Sequence, residues 1–170
     1  MAATVAGGRR ACYRRRTMAN IVYNIAKGRV AELYARVKSN DPANSALILV
    51  PIETTGLESD ATLIDKDDLA AVLSGTTNEQ TTMGRKTLTD AELAAVPAPN
   101  DASDYNELSL PTVTWTAATG SAISKILVCY DSDTTGGADS AIVPLTMFDA
   151  TVTPDGNDLQ LTTGAFFRAT

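Results

Sequence analysis

The chain has 170 residues, 44% of them hydrophobic, with a net charge of −6, two Cys and no His. That length and apolar content suit a folded domain with a real core and argue against wholesale disorder. The absence of His removes every His-dependent nucleophile, proton relay and zinc site, and no run approaches the roughly 20 apolar residues of a membrane-spanning helix.

Charge is unevenly placed. Residues 1–17 carry Arg9, Arg10, Arg14, Arg15 and Arg16 and no acid, which leaves nine basic and 20 acidic groups in residues 18–170, a net of −11. An acidic body disfavours nucleic acid as a partner, because phosphate binding needs a basic face. The Gly/Ala/Arg-rich head lacks apolar periodicity and reads as a flexible arm, or as a translated leader ahead of a start at Met18. Cys12 lies in this head and Cys129 in a strand pattern, so the pair is no disulfide framework, and Cys129 reads as a small buried hydrophobe.

Residues 18–45 read as an N-terminal arm with a helix. Val22, Ala26, Val30, Leu33 and Val37 recur at helical spacing, which predicts an amphipathic helix over about 25–38 after an extended start at 21–25. Ser39-Asn40-Asp41-Pro42 ends it. Residues 46–170 read as a β-rich domain. The run 46–54 predicts a buried strand, with Pro51 at an edge or bulge. A helix is predicted over 64–74, capped by Asp65, with Asp67 and Asp68 at its positive end and Gly75 after it.

A short strand is predicted within 83–89. Thr89 with Glu92 three residues on is a capping-box pattern for one or two helical turns. Strands follow at 107–110 and 112–118, with Val113 and Trp115 on one face by period two. From residue 123 onward, three or four apolar runs alternate with Gly/Asp/Pro punctuation, the signal of antiparallel strands joined by turns. Gly164 marks a bulge or bend before Phe166 and Phe167. The fold expected is mainly β, an antiparallel β-sandwich or jelly-roll-like domain with one or two short helices.

Candidate chemistry is sparse. Asp131, Asp133 and Asp139 alternate ahead of and after Gly136-Gly137, in the manner of a calcium loop. The fifth position is Thr135, however, and the twelfth is Ile142 where a bidentate Glu is needed, so a polar connection with Asx turns is the better account. Gly136-Gly137 lacks the G-K-[ST] ending of a phosphate loop, and Arg85-Lys86 is too small for a nucleic-acid patch. Glu53, Glu58 and Asp60, or Asp65, Asp67 and Asp68, would serve as an acid/base pair only if brought face to face. Trp115, Tyr130, Phe148, Phe166 and Phe167 would make a sugar platform only if exposed, and at 5% aromatic content the core needs them. The residues themselves assign no catalytic group, cofactor or metal.

Several stretches resemble small structural proteins encoded beside the major capsid gene in tailed phages. They are A-K-G-R at 26–29, G-L-E-S-D-A-T-L at 56–63, D-D-L-A-A-V-L at 67–73, L-P-x-x-T-W at 110–115, K-I-L-V-C-Y-D-x-D-T-T-G-G at 125–137, I-V-P-L-T at 142–146 and G-A-F-F-R-A at 164–169. The resemblance implies a capsid cement or decoration protein, made in the bacterial cytoplasm and seated on the virion surface. It also implies a β-rich homotrimer bound to the major capsid protein, with no enzymatic activity and no membrane. An arm over residues 18–40 would reach across a capsomer seam. A tail, collar or fibre module that binds a host glycan through an exposed aromatic cluster is the alternative.

Overall fold

The computed structural model describes residues 11–15 and 21–170. Ten strands and three α-helices are present among them. The centre is a five-stranded antiparallel sheet in the order β2-β8-β7-β3-β4, made of β2 (Ile21–Val22), β8 (Val143–Val152), β7 (Ile123–Asp131), β3 (Ala46–Glu53) and β4 (Lys86–Leu88). A three-stranded sheet runs β1-β9-β6, from β1 (Ala11–Arg15), β9 (Leu159–Thr163) and β6 (Val113–Trp115). A two-stranded antiparallel sheet pairs β5 (Asn106–Ser109) with β10 (Ala165–Ala169). The expected mainly β class is present. The strand order, five with three and two, is not the pair of four-stranded sheets of a jelly roll.

The middle strands are apolar on both faces. Ile126 to Tyr130 of β7 and Ala46 to Ile52 of β3 are all buried, the continuous pattern of a sheet covered on both sides. Successive side chains point to opposite faces. Lys125 therefore meets Asp60 of α2 (Asp60–Leu63) on one side, while Ile126 faces Trp115 and Leu161 of the three-stranded sheet on the other. Pro51 sits inside this sheet without a lost ladder bond. β4 pairs only with Leu47, Ile48 and Leu49, and beyond it the Pro51 carbonyl accepts from the Gln80 N–H at 2.9 Å. Residues 78–80 continue along that side, with Ile52 bridging Glu79 and Glu53 N–H donating to the Asn78 carbonyl at 2.9 Å, and the ladder to β7 shifts register just beyond, between Ile52 and Glu53.

Residues 21–45 are not an arm apart from the β-rich unit. Ile21 and Val22 pair with Met147 and Thr146, Tyr23 N–H donates to the Leu145 carbonyl at 3.0 Å, and Tyr23 is fully buried. Gly28, at φ +79, breaks the expected continuous helix into a 3-10 turn (Asn24–Ala26) and α1 (Val30–Lys38). Val30, Leu33, Tyr34 and Val37 of α1 enter the same core, and Tyr34 stacks on Phe166 of β10 with centroids 6.1 Å apart. Of the expected arm over 18–40, residues 21–40 lie against this core, and 18–20 lie outside the described residues. Of the expected flexible head, Ala11–Arg15 runs as a strand beside β9; the rest lies outside the described residues.

The helix expected over 64–74 is two short pieces. Ser59 caps α2, and Asp68 rather than Asp65 caps α3 (Leu69–Leu73) by accepting from Ala71 N–H at 2.7 Å. Asp65 instead accepts from the Asn24 side chain, and Asn24 N–H donates to the Ile64 carbonyl, so the interruption is used to hold the chain near the N-terminal side of the core. The Thr89/Glu92 box forms, with Thr89 N–H donating to Glu92 Oε2 at 2.7 Å, but it closes only a turn. Gly164 lies at the bend between β9 and β10, and the β10 ladder shifts register between Ala165 and Phe167.

Candidate functional site

The connection from β7 to β8, residues 132–142, is an exposed and hydrogen-bonded feature. Its conformation follows from its short polar side chains. Asp131 Oδ1 accepts from Asp133 N–H at 3.0 Å and Asp133 Oδ1 accepts from Thr135 N–H at 3.0 Å, two successive Asx turns, and Gly137 takes φ +103. The Thr135 bonds hold the Asp133 carboxyl below its ordinary range. Thr134 donates through both its N–H and its hydroxyl to the Asn44 carbonyl, at 3.1 and 3.0 Å, which pins the loop to the turn before β3.

Asp139 faces a different partner. Arg85 grips it with two bonds, Nη1 to Oδ1 at 2.6 Å and Nη2 to Oδ2 at 2.8 Å, while Nε and Nη2 hold Glu79 at 2.9 and 2.6 Å. One guanidinium thus joins the 76–85 loop to the β7–β8 loop in fork geometry. Its bonds hold the Asp139 carboxyl below the usual carboxylate range. The three carboxylates of the calcium-like pattern are therefore divided between two Asx turns and an arginine clasp. Among the described residues no group of three His, Cys, Asp or Glu gathers in a metal-holding cluster.

The carboxylates weighed as an acid/base pair are likewise distributed. Glu58 Oε2 accepts from the Thr77 hydroxyl at 3.1 Å, Asp60 pairs with Lys125, Asp65 with Asn24, and Asp68 caps α3. Lys125 is buried and bridges Asp149 at 2.9 Å and Asp60 at 3.0 Å. Burial alone would lower its pKa, but the hydrogen bonds to Asp149 and Asp60 outweigh it and the ammonium is held above its ordinary value. A lone Lys inside the apolar run I-S-K-I-L-V was the sequence signal for this pairing, since an unpaired charge there would not survive burial. Gln80 left no such signal. It is buried, donates through Nε2 to the carbonyls of Thr119 at 3.0 Å and Ser121 at 3.3 Å, and accepts from Met83 N–H at 3.0 Å.

The aromatic residues serve the core. Trp115, Tyr130, Phe148 and Phe166 are buried and Phe167 is packed against the same cluster. Trp115 Nε1 donates to the Gly84 carbonyl at 2.9 Å, with Lys86 over its ring at 5.8 Å. An apolar cleft between the three- and five-stranded sheets is lined by Trp115, Ile123, Ile126, Val152, Leu159 and Leu161. It has the character of a packing seam. Cys129 is fully buried, and burial pushes its thiol pKa up, so it is an inert hydrophobe as expected. No helix among the described residues is long and apolar enough to cross a membrane.

The arrangement presents rigid, acid-bearing loops on a doubly covered sheet, a surface suited to contact. Comparison with protein-family models, with curated proteins and with solved structures returns no match.

Proposed function

We propose that this chain is a virion structural protein of a tailed phage, a capsid cement or decoration subunit that binds the major capsid protein shell as a homotrimer and stabilises it. The observation that carries the reading is where the phage-like stretches fall. Lys125–Asp131 of the longest one makes up most of β7, 142–146 leads into β8 beside it, Leu110, Val113 and Trp115 of the stretch at 110–115 are buried in the core, and Phe166 of the last stacks on Tyr34 of α1. These stretches are contiguous in space, which is what a likeness extending to the fold requires.

The mechanism is binding without bond chemistry. A subunit seated over a capsomer seam adds interface area on both sides, and a closed ring of identical subunits multiplies individually weak contacts through effective concentration. The β7–β8 loop suits such a surface: it is exposed, acidic and pinned at Asn44 and Arg85. Pre-ordered loops lose little conformational freedom on docking.

Cryo-EM of purified virions, with intact-mass measurement of this chain, tests the reading. Many copies as trimers on the capsid shell are expected. A few copies at the tail would move the protein to a collar or fibre role, and its absence from the particle would end the virion reading altogether.

A further inference from the structure

Strand β1 is an addition to one edge. Its partners lie on β9 residue for residue, from Ala11 opposite Leu159 to Arg15 opposite Thr163, and the two strands run parallel. A parallel neighbour cannot be delivered by a tight turn. Five residues separate β1 from β2, and β2 belongs to the other, five-stranded sheet. The β9 edge needs a cover, because an open edge leaves a row of unpaired N–H and C=O groups, here beside the buried Leu159 and Leu161.

Every copy of the chain carries the same edge and the same covering segment. The ladder is identical whichever copy supplies the strand, so the outcome is decided by the connection and by local concentration. Two features favour a neighbouring copy. Only five residues lie between β1 and β2, which belong to different sheets, and short connections favour exchange of an element between copies. The charge is also divided: residues 1–17 carry five Arg and no acid, whereas the remainder carries a net of −11. Segments and bodies of different copies therefore attract, and a body repels another body.

We propose that the β9 edge is an intersubunit docking site whose occupant is the segment 11–15 of a second copy of this chain, exchanged in the parallel register of β1. Each copy gives one strand and receives one, a head-to-tail contact that closes into a ring at the right rotation. The inference rests on the oligomer proposed above and is independent of attachment to a capsid.

Cys12 stands opposite Gln160 in this register. Neighbouring strands lie about 4.8 Å apart, within the Cα separation that a disulfide bridges. The test uses the full chain carrying Gln160→Cys, oxidised mildly and run on a non-reducing gel. A coexpressed pair, the unsubstituted chain with a C12S/Q160C chain, places the two thiols on different copies. The expected result is a covalent dimer of doubled mass in the coexpressed pair and a ladder of multiples in the single variant. Reductant should collapse both, and both should be absent from the unsubstituted chain alone. Cys129 is buried and stays out of the reaction. A disulfide formed only within single chains overturns the exchange. So does the lack of any disulfide in both preparations, because the segment then does not lie on β9. Light scattering on the same samples separates the two ideas: an intrachain link in a trimer removes only the exchange, and a monomer throughout removes the oligomer as well.

Discussion

Gln80 shows how one buried polar side chain can hold two loops together. Its amide satisfies the carbonyls of Thr119 and Ser121 and the N–H of Met83, while its backbone N–H satisfies Pro51 of β3. Gln80→Leu keeps the volume and the backbone bond but leaves the Thr119, Ser121 and Met83 groups without their partner, so urea unfolding should show a loss of about 1–3 kcal/mol. A loss within error would mean that water replaces the amide fully. The Arg85 clasp gives a pH signature. The folded-state pKa of Asp139 is depressed, so its contribution is complete above the unfolded value near 4 and fades as pH falls through the lower folded value. Urea midpoints of the native protein should therefore decline below about pH 4. Asp139→Asn should start lower at pH 7 and decline less steeply. An unchanged slope would show that the clasp carries no linkage. None of this was legible in the sequence, because Arg85 and Asp139 are 54 positions apart and nothing local predicts which acid an Arg will meet. Cys129 and Val113/Trp115 were legible, the first from a continuous apolar run that the doubly covered β7 buries and the second from a period-two pattern that β6 realises directly.

At the scale of elements, local chemistry predicted existence better than extent. The N-cap signal near residue 65 was real but two caps compete for it, Ser59 and Asp68, and the chain uses both with a non-helical link between. Asp68→Ala should lower stability by about 1 kcal/mol, the usual value of a lost N-cap. Asp65→Ala, which touches only the exposed Asn24 contact, should stay within about 0.5 kcal/mol. Equal effects in thermal or urea melts would contradict the placement of the cap. Gly28 explains the other shortened helix. Its left-handed φ needs no Cβ clearance, so the five apolar positions of the predicted stripe divide among β2, a 3-10 turn and α1, yet still reach one core. Pro51, expected at an edge or a bulge, is flanked on both sides, by Ile126 of β7 and by Gln80, and the register shift falls just after it between Ile52 and Glu53. The sequence pattern could not show that residues 78–80 take over where the three residues of β4 stop.

For the whole molecule, the pairing of Ile21 with Met147 brings a strand near the N-terminus beside one near the C-terminus. Among the described residues, removal of 1–17 deletes β1 alone and should leave a folded protein with a modestly lower melting temperature. Removal of 1–26 also deletes β2 and the buried Tyr23 and Ala26, and should cost about 3–5 kcal/mol, the range of a large core truncation. Circular dichroism melts of the two truncations should differ widely; similar curves would show that the 21–26 segment is dispensable. Helix periodicity over 25–38 marked a face to be buried but not the element that buries it, here the core shared with β8 and β10.

The two strands at the middle of the large sheet, β7 and β8, are synthesised after the strands β2, β3 and β4 that flank them. A ribosome that has made the first 122 residues has released β3 with one whole side unpaired and β2 with no neighbour at all. The large sheet cannot close from its N-terminal strands forward, and the apolar run 46–52 keeps one side unpaired until residue 131 has emerged. Translation speed over residues 123–152, and holding chaperones in the cell that makes it, should therefore govern the yield of this protein more strongly than the stability of its finished fold.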